Sequence, residues 1–468
     1  MSDSIFDRAG KTVIAGLGAT GFSCLEYLLA QGSNHVVVID SRKEPPFAAR
    51  ARTQYPDADY RLGDEYRGPG FWSDVSLLVV SPGIAPDDPL LAGSKGIDRC
   101  SDIDLFMSAI KVPVVGITGT NGKSTATSLL GHMLEQLGLK VRMGGNLGEP
   151  ALSILTTDVD LYVLELSSFQ LEYSGSLPLT VGALLNVSDD HLDRHGSLEN
   201  YAAIKRQVFA TSAAAVYNVD DPNTKPVNSV RPGVEQTSQT ESFLFGFGAG
   251  EAAQFRLNEV GELFYMDQRI ACADEFALRG RHNHFNLLAA MAIIDALSRV
   301  TDLPGLATID TAKASYVASA QDFPGLPHRC ELVAEIDGVS YINDSKATNV
   351  GACIASLESL SLTTGSADVL LLAGGQAKGA TFTELADVVS RRVKKALLFG
   401  EDARLLEAAL DGSTSIERCA DLPAAVQGAY SSAIAGDTVL LAPACASMDM
   451  FENYMARGEA FRAAVASL

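Results

Sequence analysis

Short apolar runs alternate with helix-like segments along most of the chain, and this pattern predicts an α/β protein. Apolar strands are expected at residues 11–15, 75–80 and 161–166, each followed by glycine or polar residues. Between them, apolar residues recur every three or four positions, as in residues 126–137, which is the spacing of an amphipathic helix. Strands that alternate with helices in this way form parallel sheets with helices on both faces.

The chain of 468 residues is too long for one core, and we expect three domains. A linker with two prolines and a glycine, residues 322–327, separates the last domain from the rest. The expected domains are residues 1–101, a Rossmann-like nucleotide-binding domain; residues 102–325, a P-loop-type ATPase domain with a parallel sheet; and residues 326–468, a Rossmann-like doubly wound domain. Two linkers, near residues 101 and 325, would let these domains close before chemistry.

Composition excludes several classes of function. The net charge of −21 argues against nonspecific binding to nucleic acid or to an anionic membrane, which both require a basic face. The chain is 47% hydrophobic, yet no apolar run approaches the ~18 residues of a membrane span. Seven scattered cysteines without a CxxC pair indicate reduced thiols, and residues 1–10 show no secretory signal. We therefore expect a soluble, cytoplasmic monomer.

A phosphate-binding loop is predicted at residues 116–125, GITGTNGKST. It follows an apolar strand and opens a helix, so its backbone N–H groups and the helix dipole favour an anion. Lys123 would reach the terminal phosphates of a nucleotide, and the hydroxyl of Ser124 or Thr125 would bind Mg²⁺. Five residues rather than four separate Gly116 from Gly122, which departs from a strict Walker A motif.

A second glycine motif, GLGATG at residues 16–21, follows the first strand. Asp40 ends the next strand about 20 positions later, as in the fingerprint for NAD. The fingerprint shows only that a helix N-terminus faces a pyrophosphate, and a UDP-sugar carries a pyrophosphate as NAD does. Arg42 could serve either ligand, and the turn at residues 81–84 would lie at the ligand-binding edge of the same sheet. The motif does not decide the nucleotide.

Polar residues at other strand ends are candidates for the remaining chemistry. Glu165 ends a strand near the phosphate loop, where a second Mg²⁺ ligand is expected, and residues 188–195 concentrate histidine and aspartate without the spacing of a zinc site. Asn286 lies past the first turn of a helix, and Arg329 follows the linker. Polar clusters at 343–349, 374–378 and 443–451 would line the upper edge of the last sheet. Residues 236–242 read as a surface loop.

Taken in order, these motifs resemble the Mur ligases, and within that family the members that add D-glutamate. The resemblance spans nearly the whole chain, and eleven motifs carry it: GLGATGFSC, SPGIA, GTNGKST, GGNLGEPAL, LELSSFQLE, DHLDRHG, RHNHFN, PHR, NDSKATN, GGQAKG and APACASMDMFENYMARGEAF. It implies an ATP-dependent ligase of peptidoglycan precursor synthesis, whose partners are ATP, D-glutamate and UDP-N-acetylmuramoyl-L-alanine.

The resemblance also implies residue roles. The UDP-substrate would bind at Gly18, Ala19, Thr20, Asp40, Ser41, Arg42, Gly83, Asn146 and His191. ATP would bind at Gly119, Thr120, Asn121, Gly122, Lys123, Ser124, Thr125, Asn286, Arg329 and Asp344. Ser124 and Glu165 would hold one Mg²⁺, and His191 and Lys205 a second, with Lys205 carbamylated so that it becomes a carboxylate-like ligand. Lys123, Glu165, His191 and Lys205 are thus the implied catalytic set.

The amino-acid pocket is implied at Lys346, Thr348, Lys378, Ser447 and Tyr454, with the lysines facing the two carboxylates of D-glutamate. The chain departs from the family here. Gln376 and Ala377 stand where the family usually has Asp-Gly, and Tyr454 stands where Phe is common.

Three alternatives stay open at this stage. The chain could be another Mur or folylpolyglutamate-type ligase with a different amino acid, although SPGIA and ACASMD favour D-glutamate. It could be an NAD-dependent oxidoreductase, a reading that leaves the Gly-Lys-Ser-Thr loop unexplained. It could also be a regulatory protein that hydrolyses ATP without joining two substrates.

Overall fold

The structure, a computed structural model, describes residues 10–63, 70–226, 244–278, 280–360 and 367–468. The surface loop expected at 236–242 lies outside the described residues. Within the described ranges the strands form three sheets, which follow one another along the chain. In the same ranges, no helix is both long enough and apolar enough to span a membrane.

The first sheet is parallel and has the strand order β3-β2-β1-β4-β5. Its strands are β1 (Lys11–Ala15), β2 (Val36–Asp40), β3 (Asp59–Leu62), β4 (Val75–Val80) and β5 (Arg99–Cys100), with α1 (Ala19–Ala30), α2 (Ala48–Gln54) and then α3 (Asp102–Ala109). Helix α1 begins so close to β1 that a Cβ on Gly21 would lie 1.8 Å from the Gly16 carbonyl oxygen. The strand order reverses between β1 and β4, and such a switch point opens a crevice for ligands.

The second sheet is mixed, with the order β14-β13-β12-β11-β10-β9-β6-β8-β7. Its strands are β6 (Val114–Thr118), β7 (Val141–Gly145), β8 (Leu161–Glu165), β9 (Val181–Leu184), β10 (Ala214–Asn218), β11 (Leu244–Gly248), β12 (Phe255–Leu257), β13 (Glu262–Tyr265) and β14 (Gln268–Cys272). Its helices are α4 (Lys123–Gln136), α5 (Ser168–Tyr173), α6 (Leu192–His195), α7 (Leu198–Arg206), α8 (Arg281–Val300) and α9 (Ile309–Gln321).

This central sheet differs from the expected parallel sheet at one edge. Strands β12, β13 and β14 pair antiparallel, whereas the pairs from β7 to β12 are parallel. The reason is the length of the connections, because two residues join β13 to β14 and a parallel crossover needs a dozen or more. Met266 in that turn has a positive φ of 50°.

The third sheet has the order β15-β16-β20-β17-β18-β19. Its strands are β15 (Glu331–Ile336), β16 (Val339–Asn343), β17 (Val369–Gly374), β18 (Val393–Phe399), β19 (Ser415–Arg418) and β20 (Thr438–Leu441), with helices α10 (Val350–Ser359), α11 (Thr383–Arg392), α12 (Ala403–Leu410), α13 (Leu422–Ser432) and α14 (Tyr454–Ala466). As the sequence predicts, β15 and β16 form a hairpin around Asp337 and Gly338. The other pairs are parallel.

The first two sheets share a hydrophobic core. Side chains of β1, α1 and β2 belong to the same buried cluster as side chains of α3, β8 and α7. Phe106 of α3 packs edge-on against Tyr162 of β8, with 5.0 Å between ring centroids. The third sheet is covered by separate clusters on its two faces. The first two domains are therefore packed as one body, and the third contacts them at the site described next.

Candidate active site

The phosphate loop lies between β6 and the first turn of α4. The loop is anchored to the end of β9, since the N–H of Thr120 donates to the Asn186 carbonyl (2.9 Å) and the N–H of Asn121 to the Asn186 side-chain oxygen (2.8 Å). Gly122 has a φ of +82°, and a Cβ there would lie 2.5 Å from Asn286 Oδ1. Glycine is therefore required at this position, and the loop leaves the helix N-terminus open to an anion.

The Lys123 side chain folds back onto the phosphate loop. Its Nζ donates to the carbonyls of Gly119 and Thr120, both at 2.8 Å. Burial lowers the pKa of Lys123, and the nearby Arg329 charge lowers it further, while Glu165 and Asp190 oppose the shift. The ammonium is thus placed at the mouth of the loop, where the terminal phosphates of a nucleotide would lie.

Two further predicted ATP residues reach the loop. Arg329 Nη2 donates to Ser124 Oγ at 2.8 Å, and the buried Asn286 approaches Gly122 while its Nδ2 donates to Asn283 Oδ1 (3.2 Å). Thr125 is buried in the first turn of α4. Arg329, which follows the linker, and Asn286 of α8 therefore both lie beside the phosphate loop.

Asp344 lies apart from the loop, on the third domain. Its Oδ2 accepts hydrogen bonds from Ser356 Oγ and from Cys330 Sγ, the latter at 3.5 Å. Burial lowers the pKa of His282 on α8, and the Asp344 charge opposes that shift. Asp344 and the start of α8 thus face each other across the boundary between the second and third domains.

Glu165 ends β8 beside the loop and is 2% exposed. Asn146 Nδ2 donates to Glu165 Oε1 at 2.5 Å, while Oε2 is buried without a hydrogen-bond partner in the described part of the chain. A buried carboxylate oxygen without a donor is costly, and a cation would satisfy it. Glu165 therefore fits the Mg²⁺ ligand expected from the sequence, although no group of three or more His, Cys, Asp and Glu side chains in the described ranges forms a ready metal cage.

Lys205 is 1% exposed on α7. Its Nζ donates to the Gly119 carbonyl (2.8 Å) and lies 4.6 Å above the Tyr201 ring. Burial lowers the pKa of Lys205 well below its ordinary value, and the Lys123 charge adds to this effect, while Asp190 and Glu165 oppose it. A larger share of the amine is therefore neutral, which is the form that reacts with carbon dioxide.

His191 lies at the start of α6 with a left-handed backbone, φ 53°. Its backbone N–H donates to Asp190 Oδ1 (3.0 Å), and its half-exposed ring lies 4.8 Å from the Phe169 ring. Asp190 also faces Asn349 of the third domain, with 3.4 Å between Oδ2 and Nδ2. This loop consequently joins the second domain to the third beside the phosphate loop.

A cavity of about 520 Å³ lies at the switch point of the first sheet. It is lined by these residues: Gly16, Gly18, Ala19, Thr20, Asp40, Ser41, Arg42, Ser81, Pro82, Gly83, Ile84, Asp88, Gly145, Asn146, Gly148, Pro150 and Gln170. The set includes each residue predicted for the UDP-substrate except His191. The cavity extends from the GLGATG turn to Asn146, which contacts Glu165, so it leads towards the phosphate loop.

Asp40 differs from a nicotinamide-binding aspartate in how its oxygens are used. Oδ2 accepts from Leu17 N and Arg42 Nη2, both at 2.8 Å, and Oδ1 accepts from Arg42 N and Nε, both at 2.9 Å. Burial raises the pKa of Asp40, but these hydrogen bonds outweigh it and leave the pKa lowered. Asp40 therefore orients the turn and Arg42, and the oxygens of its carboxylate are used by these internal donors.

The predicted amino-acid residues lie at the ends of β16, β17 and β20. Lys346 Nζ lies 4.7 Å above the Tyr454 ring, and burial, together with the charges of Arg329 and Lys123, lowers the pKa of Lys346 to about 8. The N–H of Thr348 donates to the Lys346 carbonyl at 2.7 Å. Lys346 thus lies within electrostatic reach of the phosphate loop as well as of the pocket.

The remaining two pocket residues follow β17 and β20. Gln376 and Ala446 exchange backbone hydrogen bonds of 2.9 and 3.0 Å, which joins the loop of Lys378 to the loop of Ser447. Ser447 is buried, whereas Lys378 is exposed and has a φ of +50°. Lys378 is therefore exposed on the loop that follows β17, next to the loop that follows β20.

Arg457 is a residue that sequence reasoning missed. Fully buried, it donates to Ser345 Oγ (3.0 Å) and to the carbonyls of Ser345 (2.9 Å), Cys445 (3.1 Å) and Gly374 (3.4 Å). Burial lowers the pKa of Arg457 to about 10, while the charges of Cys445 and Asp449 act in the opposite direction. One guanidinium thus ties together the loops that carry the pocket residues. A basic residue inside an apolar helical pattern was the available signal.

Gln170 and Asp190 were also missed as site residues. Gln170 lines the cavity and forms a capping box with Ser167, while its Nε2 donates to Asp102 Oδ2 at 3.3 Å. Asp190 lies electrostatically close to Lys123, Lys205 and Lys346. Both residues belong to motifs that the sequence singled out, LELSSFQLE and DHLDRHG.

Family models match each of the three regions. Residues 10–98 match the Mur ligase MurD-like N-terminal domain, residues 117–294 match the Mur ligase middle domain, and residues 328–445 match the glutamate ligase domain of Mur ligases. The three matches follow the same order as the three sheets.

Curated proteins are similar over nearly the whole chain. One from Methylococcus capsulatus is 41% identical over 470 residues, covering 99% of this chain and 96% of that protein. One from Pseudomonas aeruginosa is 40% identical over 465 residues, covering 97% and 98%. Both are named UDP-N-acetylmuramoylalanine–D-glutamate ligase.

Solved structures show the same fold at low sequence identity. UDP-N-acetylmuramate-alanine ligase MurC from Thermotoga maritima is 16% identical, with a TM-score of 0.57 and coverage of 98% of this chain and 100% of that chain. A pseudomurein peptide ligase type C from Methanothermus fervidus is 18% identical with the same TM-score and coverage. The arrangement of three α/β domains is therefore shared with known ligases.

Proposed function

This chain belongs to the Mur ligase family, and from that premise we propose that it joins D-glutamate to UDP-N-acetylmuramoyl-L-alanine with ATP as the energy source. The structural observation that carries the proposal is the hydrogen bond between Arg329 and Ser124. It brings the third domain onto the phosphate loop, with the UDP cavity on one side and Lys346 on the other. The carboxylate that attacks ATP and the amine that attacks the resulting acyl phosphate must meet at one place, and this arrangement allows them to do so.

The cavity of the first domain would hold the UDP-substrate. Its pyrophosphate fits the N-terminus of α1, where Gly18, Ala19 and Thr20 offer backbone N–H groups. Arg42, held by Asp40, would lie with Ser41 near the uracil and ribose of the UDP-substrate. The lactyl-alanine arm would then extend past Asn146 and Gln170 towards Glu165 and the phosphate loop.

The first chemical step activates a carboxylate, because a carboxylate does not react with an amine at neutral pH. A carboxylate oxygen of the substrate attacks the γ-phosphorus of ATP, the bond from that phosphorus to the bridging oxygen breaks, and ADP leaves. The product is an acyl phosphate. Lys123 and Arg329 supply positive charge where negative charge accumulates on the transferred group.

The second step forms the amide. The amine of D-glutamate attacks the acyl carbon, a tetrahedral intermediate forms, the carbon–oxygen bond to phosphate breaks, and the nitrogen loses a proton. Lys346 and Lys378 would bind the two carboxylates of D-glutamate, with Thr348, Ser447 and Tyr454 completing the pocket. Domain contact keeps the acyl phosphate from water while the amine arrives.

Mg²⁺ fits the residues beside the loop. Ser124 with Glu165 would hold one ion, and His191 with carbamylated Lys205 a second. The unpartnered Glu165 Oε2 and the lowered pKa of Lys205 support this assignment. Bound there, divalent cations supply positive charge that neutralises the phosphate oxygens. An unmodified Lys205 ammonium would repel a cation, and carbamylation by carbon dioxide removes that charge and adds a negative one.

We place this activity in the cytoplasm and in one chain. The substrates are a soluble nucleotide-sugar, a free amino acid and ATP, and the seven cysteines of the described structure are free thiols. Residues of all three domains meet within one copy of the chain, through Arg194 with Ile84, Arg329 with Ser124 and Asn349 with Asp190. A monomer therefore carries the complete site.

The test is phosphate release with ATP, Mg²⁺ and UDP-N-acetylmuramoyl-L-alanine, with D-glutamate, L-glutamate, L-alanine or L-lysine added in separate reactions. We expect release with D-glutamate alone and a product heavier by one glutamyl residue. Release with a different amino acid would move the enzyme to a neighbouring step of the pathway. Release without any acceptor would support a regulatory ATPase instead.

A further inference from the structure

Arg194 connects the turn that lines the UDP cavity to the loop that carries His191. Its Nη2 donates to the Ile84 carbonyl at 2.9 Å, and Ile84 lies in the cavity wall contributed by the first domain. Arg194 itself lies on α6, three residues after His191, and its side chain is 11% exposed. The contact therefore crosses a domain boundary in a place sheltered from solvent.

The guanidinium is held in one geometry by several neighbours. Its Nε and Nη2 donate to Glu172 Oε2 at 3.0 and 2.6 Å, and its plane centre lies 4.9 Å from the Phe169 ring. Tyr173 donates its hydroxyl to the same Ile84 carbonyl, also at 2.9 Å. A lysine at position 194 could keep the charge, but it could not make the forked and stacked contacts together.

A chain of stacked rings continues from Arg194 to the phosphate loop. Phe169 stacks on the buried His195 ring (5.5 Å between centroids), and His195 stacks on Tyr201 (5.2 Å). The Tyr201 hydroxyl lies 3.4 Å from Thr120 Oγ1, and Lys205 lies over the same ring. Packed side chains thus run without a break from the cavity wall to the two residues beside the nucleotide.

The element between these ends, helix α6, has few backbone contacts of its own. Helix α6 is four residues long and is bracketed by left-handed backbone at His191 (φ 53°) and Gly196 (φ 77°). Few backbone hydrogen bonds hold so short a helix, so its position depends on what Arg194 and His195 contact. His195 is fixed by Ser168 (3.0 Å), which leaves Arg194 as the contact that responds to the first domain.

We propose that Arg194 is a positioning residue that couples occupancy of the UDP cavity to the affinity of the phosphate loop for nucleotide. The identity of the two ligands rests on the proposed function. A UDP-substrate bound against the 81–84 turn fixes Ile84 and with it Arg194, α6 and the ring stack in the arrangement that nucleotide binding requires. Coupling of this kind is reciprocal, so ATP raises the affinity for the UDP-substrate by the same factor.

Calorimetric titration tests the coupling without turnover. The dissociation constant of Mg²⁺ with a nonhydrolysable ATP analogue is measured with and without saturating UDP-N-acetylmuramoyl-L-alanine. We expect a ratio of about tenfold for the parent chain, within the usual range for coupled sites, a ratio near one for Arg194→Met, and an intermediate value for Arg194→Lys. Tyr173→Phe is the matched control, because it removes the other donor to Ile84 and leaves α6 intact. It should weaken UDP-substrate binding without changing the ratio.

Each outcome of the titrations either supports or overturns the proposed coupling. A parent ratio of one, or an unchanged ratio in Arg194→Met with both affinities lowered equally, overturns the coupling and leaves Arg194 a structural residue. Should Arg194→Met lack a cooperative melting transition, Arg194→Lys and Glu172→Gln carry the test, and both must lower the ratio. A parent chain that fails to bind the UDP-substrate overturns the proposed function, whereas binding with a ratio of one overturns the coupling alone.

Discussion

Arg329 of the third domain donates a hydrogen bond to the hydroxyl of Ser124 in the second, with 2.8 Å between Nη2 and Oγ. The backbone on either side of the arginine is left-handed, with φ values of +63° at His328 and +48° at Cys330. Such conformations cost about 1–3 kcal/mol each for residues other than glycine and persist where the surroundings require them. Here the requirement is the direction of Arg329, which must cross from one domain to the other.

Replacement of Arg329 by methionine should weaken nucleotide binding. In the proposed ATP site Arg329 donates to the nucleotide, and a hydrogen bond from a charged donor contributes about 1.5–3 kcal/mol, so KM for ATP should rise about 10- to 100-fold. Steady-state kinetics at saturating UDP-substrate and D-glutamate would measure the change. Arg391→Met is the control, because Arg391 lies on the same domain but is half exposed on α11. An unchanged KM in Arg329→Met would contradict the role of the interdomain contact.

Replacement of Lys123 by alanine should abolish most turnover. The change removes a positive charge that faces the transferred phosphoryl group, and loss of one such group typically lowers kcat by at least about 100-fold. Phosphate release would show the loss. Lys140→Ala should be near normal, since Lys140 is exposed and paired with Asp158. Near-normal turnover of Lys123→Ala would overturn the assignment of the loop.

Replacement of Lys205 by alanine should remove most activity, and added acetate or formate should restore part of it. The small carboxylate would occupy the space of the carbamate and replace its negative charge beside the phosphate loop. Lys123→Ala is the matched control, because a carboxylate cannot replace an ammonium and no rescue is expected there. Failure of rescue, together with an intact mass of the parent chain that lacks added carbon dioxide, would remove support for the carbamate.

Asp102 provides a pH prediction. Burial raises the pKa of Asp102 to about 7, with the Gln170 hydrogen bond opposing. Between the ordinary pKa of 3.8 and about 7 the folded chain retains a proton that the unfolded chain releases, so stability falls as pH rises through this window. The asparagine of Asp102→Asn does not titrate, so the variant does not lose stability in this way.

The free energy of unfolding of Asp102→Asn, relative to that of the parent chain, should therefore increase between pH 4 and 8. The increase is at most about 4 kcal/mol, at about 1.4 kcal/mol per pKa unit. Denaturant titrations of Asp102→Asn and of the parent chain at several pH values would measure it. Asp158→Asn, at an exposed site, should show no such trend. An advantage that stayed constant or shrank with pH would contradict a buried, proton-retaining Asp102.

The sequence pattern predicted those features that depend on local chemistry. Glycines before a helix indicated the two glycine-rich turns at the starts of α1 and α4, and the alternation of strands and helices predicted the α/β fold that the family matches confirm. The antiparallel β12–β14 edge was not foreseen, because three- to five-residue strands carry too weak a pattern. The assignment of individual site residues remains a prediction, tested by the variants above.

Features that depend on contacts between distant parts of the chain could not be predicted from the sequence. Asp40 looked like a ribose acceptor because its spacing is right, but the approach of Leu17 and Arg42 occupies its oxygens. Sequence reasoning does not single out Asp102 or Arg457, and the packing of neighbouring elements buries both. Arg194 lies in a motif that was singled out, yet its partner Ile84 is 110 residues away. Periodicity and motif spacing describe residues that are close along the chain, so they cannot reveal contacts between residues that are far apart in sequence.

The shared core of the first two domains limits how this chain can be divided. An isolated segment 1–101 would expose to water the apolar face that α3 and β8 now cover, and it would be prone to aggregation rather than to independent folding. The third domain keeps its own clusters on both faces of its sheet. The third domain is therefore the part of the chain that could be exchanged whole, whereas the first two must be kept together.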